Sequence, residues 1–142
     1  MAPSDHRWTS RRAFVLAGAL MEAAGISRRL VDIAETLGRL KQGELLSPES
    51  TDYLLTLMGQ TVTGSSRLRA GLAPGWTLRH KTGTGQDLPP RSTGYNDVGI
   101  MTAPDGTSYA LAIFIRSTHE GIRERQALMQ AVAQRLRDSV RA

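Results

Sequence analysis

Lys81, Thr82, Gly83 and Thr84, within "RHKTGTGQ" (residues 79–86), are the residues of this 142-residue chain whose types and spacing could do chemistry. At the exposed end of a strand, Lys81 supplies a compact positive charge with three donors and Thr82 a short hydroxyl. Gly83 removes the side chain that would keep a ligand from the backbone. An edge strand also leaves amides free, so the Thr84 amide can donate to an oxygen that becomes negative during acyl transfer. Together these groups suit the binding of a carboxylate and the polarisation of a carbonyl.

Other reactive groups are scarce. The absence of cysteine excludes disulfides, thiolate zinc sites and cysteine nucleophiles. Ser65 and Ser66 fall in a loop, and no Gly-x-Ser-x-Gly elbow is present. His6, His80 and His119 have no spacing that marks a base; in a regular strand His80 points to the face opposite Lys81, and His119 falls in a helix's first turn. "GTGQDL" fails the Gly-x-Gly-x-x-Gly pattern, and Lys81 precedes its glycines, unlike the lysine of a phosphate-binding loop. No spacing suggests a metal, and no cofactor is implied.

Composition bounds the rest. At 15.4 kDa, 40% hydrophobic and 22% charged, the chain suits one globular domain, and no apolar run approaches the roughly 20 residues of a membrane-spanning helix. The net charge of +5 comes from 16 scattered arginines with only 5% aromatic residues to stack on bases, so the basic surface reads as solvated rather than as a nucleic-acid site. Residues 1–26 read as a twin-arginine export signal or an N-terminal helix, because Arg11 and Arg12 precede the apolar Ala13–Met21 while Glu22 ends that run early. The first reading implies a periplasmic or exported protein.

The elements that must position Lys81 to Thr84 follow from periodicity. From Ser27, residues Leu30, Ile33, Ala34, Leu37 and Leu40 line one helix face, with Gly43 as the stop. Ser47 and Pro48 open a second helix, whose buried stripe is expected to be Tyr53, Leu54, Leu57 and Met58. "TVTGSSRLRAGLAPG" reads as a loop. Strands are predicted at Trp76–Gly83, Tyr95–Thr102 and Ser108–Arg116, with "QDLPPRST" and "APDG" turning the chain. The last is expected to be the central strand, with Tyr109, Leu111, Ile113 and Ile115 on one face and Ala110, Ala112 and Phe114 on the other. Ser117 and Glu120 have capping-box spacing before a helix carrying Ile122, Leu128, Met129, Val132, Leu136 and Val140. The order predicts an α+β fold, a three-stranded antiparallel meander with flanking helices.

"LAPGWTLRHKTGTGQ" (Leu72 to Gln86) resembles the third-strand region of class A serine β-lactamases, where a Gly-Trp lead-in precedes Lys-Thr-Gly. "ELLSPESTDYLLTLM" resembles the helical segment before that strand, "GYNDVGIMTAPDGTSYALAIFI" the two strands after it, and "RERQALMQAVAQRL" the final helix. The likeness runs over residues 27–138, making residues 27–142 the C-terminal part of a class A β-lactamase-like domain and the fold an incomplete β-lactamase/transpeptidase-like one. It implies that Lys81 and Thr82 contact a substrate carboxylate, that Gly83 allows close approach, and that the Thr84 amide gives one oxyanion donor. The implied substrate is a β-lactam or a related carboxylate-bearing small molecule, hydrolysed in the complete family through a serine acyl-enzyme. The family's Ser-x-x-Lys motif is absent, since neither Lys41 nor Lys81 has a serine three residues before it, and Ser-Asp-Asn is absent too. "YND" (Tyr95 to Asp97) follows Lys-Thr-Gly and is no substitute. The chain is therefore expected to lack a catalytic nucleophile and to be inactive alone. The alternatives are a truncated remnant or partner-binding module, or a D-alanyl-D-alanine carboxypeptidase-like relative. An open sheet edge, which Ala13 to Ala24 could partly cover, implies self-association.

Overall fold

The computed structural model describes residues 24–141. Its centre is an antiparallel sheet in which β3 (Arg91–Thr102) lies between β1 (Thr77–Thr84) and β4 (Ser108–Thr118). A two-residue strand, β2 (Asp87–Leu88), also pairs with β3. The register explains β2: Thr84 faces Tyr95 and Asp87 faces Ser92, so the second strand continues the first along the same edge. Pairing persists across the gap because the Gly85 amide donates to the Gly94 carbonyl. Neither glycine is replaceable without strain, since a Cβ on Gly85 would lie 2.2 Å from the Thr93 carbonyl oxygen and Gly94 has φ of 64°. "QDLPPRST" is therefore the end of a long hairpin and not only a turn.

β3 and β4 pair from Ser92 with Thr118 to Thr102 with Ser108. "APDG" joins them, with Gly106 at φ of 88° and the Asp105 carboxylate accepting the Thr107 amide at 2.8 Å. The expected alternation of β4 holds, and Tyr109–Ala112, Ile113 and Ile115 are buried. Its place differs from expectation: β3 is the central strand, and among the described residues β4 pairs with β3 alone.

Helices cover both faces. α3 (Ile122–Arg141) sets Met129, Val132, Ala133 and Leu136 against Leu78, Met101, Tyr109, Leu111 and Ile113. Leu68, from a single 3-10 turn at Leu68–Gly71 inside the expected loop, completes that layer, and Trp76 stacks on Tyr109. On the other face α1 (Ala24–Lys41) packs Ala34, Leu37 and Leu40 against Ile100 and Ala110. None of the helices among the described residues is long and apolar enough to cross a membrane.

α2 (Pro48–Gly59) starts as expected, with the Ser47 hydroxyl accepting the Ser50 amide at 3.2 Å. Its buried stripe does not match. Thr51 and Leu55 are buried and Met58 is half-buried, whereas Tyr53 is 68% exposed and Leu54 and Leu57 are also exposed. The Ser117–Glu120 capping box does not form either. Ser117 is held in β4 opposite Thr93, and the Thr118 hydroxyl instead accepts the Glu120 amide, so cross-strand pairing outcompetes a local cap. His119 accordingly precedes α3, its Nδ1 at 2.9 Å from the Pro90 carbonyl oxygen. Arg11, Arg12 and the apolar Ala13–Met21 run lie outside the described residues.

Candidate functional site

The phase of the β1–β3 ladder decides which groups of β1 are available. The Gly85 amide bonds to Gly94, and hydrogen-bonded pairs alternate along an antiparallel ladder. Thr77, Arg79, Lys81 and Gly83 therefore bond to β3, while Leu78, His80, Thr82 and Thr84 turn their amides and carbonyls to the open edge. Two outward carbonyls are already occupied. That of His80 accepts the Thr61 hydroxyl at 2.7 Å, and that of Thr82 accepts the Lys81 ammonium at 2.5 Å. The amides of Thr82 and Thr84 have no protein partner among the described residues.

Side chains alternate across the same strand. Lys81 and Gly83 face the α1/α2 side, and Thr82 and Thr84 the α3 side. Lys81 is exposed, and its ammonium curls back over the open edge to reach Thr82. Thr82 is buried, its hydroxyl 2.8 Å from that of Thr63. Gly83 is exposed, and a Cβ built there would meet nothing nearer than Asn96 Nδ2 at 3.7 Å, an ordinary contact. Packing does not require glycine at this position.

Arg67, from the loop before the 3-10 turn, lies behind this edge. Its guanidinium donates to the carbonyls of Gly83 (3.1 Å) and Asn96 (2.5 Å) and to the Thr84 hydroxyl. It also lies 3.7 Å from the centroid of the Tyr95 ring. Arg125 of α3 approaches the same ring at 5.0 Å and donates to the Asp87 carboxylate at 3.3 Å. The Ser92 hydroxyl and, after it, Arg125 hold the Asp87 carboxyl below the usual carboxylate range. These contacts tie the far end of the hairpin to α3 and fix the edge from behind.

His80 takes the face opposite Lys81, as its strand position predicts, and pairs through Nδ1 with Asp97 Oδ1 at 2.8 Å. Both side chains are fully buried, and His80 Nε2 and Asp97 Oδ2 have no partner among the described residues. Gly99 lets β1 lie this close, because a Cβ there would fall 2.4 Å from the Arg79 carbonyl oxygen and 2.7 Å from His80 Cβ. The pair links β1 to β3 on the α3 side, away from the open edge.

The remaining reactive groups do not converge on Lys81. Ser65 and Ser66 are exposed in their loop, and the Ser66 carbonyl accepts the Gln130 amide at 2.8 Å. Lys41 ends α1, where burial and then the neighbouring Arg79 charge lower its pKa. Among the described residues no cluster of three acidic or histidine side chains could hold a metal ion. The sequence reading did not single out Arg67 and Tyr95. Arg67 is one of 16 arginines in a stretch without periodicity, and only its step into the apolar Leu68 hinted at burial. The His80–Asp97 pair had a fairer signal, as each is a titratable residue on the strand face that also carries Leu78, Tyr95 and Met101.

Comparison with known proteins follows the same segments. The family model for the β-lactamase enzyme family matches residues 21–140. The extended-spectrum β-lactamase PER-1 of Pseudomonas aeruginosa is 36% identical over 101 residues, which is 71% of this chain and 33% of that protein. A solved β-lactamase from Chitinophaga pinensis superposes with a TM-score of 0.74 at 30% identity, covering 78% of this chain and 41% of the other. A variant of PBP-A, solved as an acyl-enzyme complex with penicillin G, gives a TM-score of 0.65 at 33% identity and covers 78% and 39%. The chain thus spans about a third of its curated relative and two-fifths of the solved structures.

Proposed function

The chain belongs to the β-lactamase enzyme family, on its class A side, and from that premise we propose that β1 is the substrate-binding edge of a serine acyl-transfer site. The observation that carries this reading is the open edge itself: two outward amides without partners among the described residues, an exposed glycine that packing does not require, and a lysine at the rim. The ligand is a β-lactam, a small molecule with one carboxylate and one strained carbonyl. Lys81 and Thr82 attract its carboxylate, with the Arg67 guanidinium adding positive potential from behind Thr84. Gly83 lets the ligand lie against the backbone, and the Thr84 amide donates to the carbonyl oxygen as it becomes negative. The penicillin acyl-enzyme of the PBP-A relative supports this choice of ligand.

Class A enzymes attack with the serine of a Ser-x-x-Lys motif, and these 142 residues contain none. Alone, the chain therefore binds without turnover. A chromogenic cephalosporin tests this point: the expected result is hydrolysis no faster than buffer, for wild type and for Lys81→Ala alike. Turnover that disappears in Lys81→Ala would show that the chain supplies its own nucleophile.

A second reading, that β1 keeps the fold without any ligand, is favoured by one observation. The Thr82 hydroxyl and carbonyl already have protein partners in Thr63 and Lys81. The two readings part on whether a β-lactam displaces those contacts.

A further inference from the structure

Basic side chains on the α3 side of the sheet are held in different ways. His80 pairs with Asp97 at 2.8 Å, and Arg125 donates to the Asp87 carboxylate at 3.3 Å. Arg67, only 7% exposed, has no carboxylate partner among the described residues. Its contacts are the carbonyls of Gly83 and Asn96, the Thr84 hydroxyl and the face of the Tyr95 ring. A buried cation is ordinarily paired with an opposite charge, so the ring stands where a carboxylate is expected.

The register explains how one ring can hold that guanidinium at the β1 edge. Thr84 lies directly opposite Tyr95, and because the neighbouring Gly85 and Gly94 are hydrogen-bonded, theirs is the non-hydrogen-bonded kind of pair, in which side chains come closest. Both side chains take the α3 side, so Arg67 reaches the Thr84 hydroxyl and the ring from one position. Tyr95 is 3% exposed and packed in the core, which fixes the ring. Its face attracts a cation through the ring quadrupole yet carries no net charge, whereas a carboxylate in its place would cancel the guanidinium. Arg125 also approaches the ring, at 5.0 Å, but Asp87 offsets its charge.

We propose that Tyr95 is a positioning residue for ligand binding: its ring takes the place of a counter-ion, holding Arg67 behind Thr84 while leaving that positive charge to act on the ligand's carboxylate. The inference rests on the reading of β1 as the substrate-binding edge. Tyr95 acts through Arg67, and what it contributes is the electrostatic character of the ring face and not its bulk alone. Phenylalanine keeps that face, whereas a fluorinated ring keeps the shape and loses most of the attraction for a cation.

The test compares penicillin G with its methyl ester, which lacks the negative charge, on the full 142-residue chain, read from the Thr82 and Thr84 amide shifts. Wild type and Tyr95→Phe are expected to favour the acid over the ester by the same factor, within about twofold. A chain with trifluorinated phenylalanine in place of Tyr95 should lose about threefold or more of that preference. Proton exchange at the Arg67 guanidinium, measured without ligand, should quicken in the fluorinated chain and not in Tyr95→Phe. If the fluorinated chain does not fold, Tyr95→Leu replaces it in both measurements. Equal preference and equal exchange in the phenylalanine and fluorinated chains would overturn the proposal and leave Tyr95 as core packing, while the β1 reading would stand on the Thr82 and Thr84 shifts. A wild type that binds acid and ester alike would also overturn it. A wild type in which penicillin G moves neither amide would instead overturn the β1 reading, and this inference with it.

Discussion

Replacing Arg67 separates the value of its charge from the value of its shape. The guanidinium donates to three oxygens and lies 3.7 Å over Tyr95, with only 7% of the residue exposed. Hydrogen bonds from a charged group are worth about 1.5–3 kcal/mol each, and a desolvated cation over an aromatic ring adds about 2. Against them stands the cost of keeping a cation out of water, several kcal/mol per ion. Arg67→Lys keeps most of that cost but loses the planar stack and the fork that reaches Gly83, Asn96 and Thr84 together, so the expected loss is about 2–4 kcal/mol. Arg67→Met removes the desolvation cost and still covers Tyr95, so its loss should be smaller, about 1–3 kcal/mol. Urea unfolding followed by circular dichroism measures both, read as a shift in midpoint at constant slope. A lysine variant within about 0.5 kcal/mol of wild type, or a methionine variant less stable than the lysine one, would refute this reasoning.

Other substitutions probe the core and the hairpin. Leu68→Ala, at a site with no exposure, should cost about 2–5 kcal/mol, whereas Tyr53→Ala on the outer face of α2 should stay within about 0.5, both read from the same urea titration. Gly99→Ala places a methyl 2.4 Å from the Arg79 carbonyl oxygen and should cost about 1–3 kcal/mol or more; Gly83→Ala should leave the melting temperature nearly unchanged and weaken β-lactam binding. The Asp87 carboxyl is held below its ordinary range by Ser92 and then Arg125, so its contribution is full above about pH 4 and is lost as pH falls through the lowered value. Melting curves at decreasing pH should therefore fall less steeply for Asp87→Asn than for wild type, and identical acid limbs would count against the contact.

Much of the fold was legible because local signals agreed with tertiary packing. The Ser47 cap, the "APDG" turn and the two faces of β4 each depend on residues close in sequence. Where distant pairing competed, local reading failed. Ser117 looks like a cap until Thr93 claims it for the sheet, and "QDLPP" looks like a turn until the register through Gly85 and Gly94 carries the hairpin onward. On α2 the apolar residues outnumber the buried positions, so periodicity could not say that Leu55 faces the sheet while Tyr53 and Leu57 do not. The candidate site was legible to the same degree. Lys81 to Thr84 stand out by type and spacing, but Arg67 reaches them only through folding of a loop with no pattern of its own.

The most direct measurement is titration of the isotope-labelled chain with penicillin G, followed by amide chemical shifts in wild type and Lys81→Ala. Binding at the β1 edge predicts saturable shifts centred on the Thr82 and Thr84 amides, with much weaker binding in the variant. Shifts that spare those two amides, or that are equal in Lys81→Ala, would contradict the assignment of β1 as the substrate-binding edge.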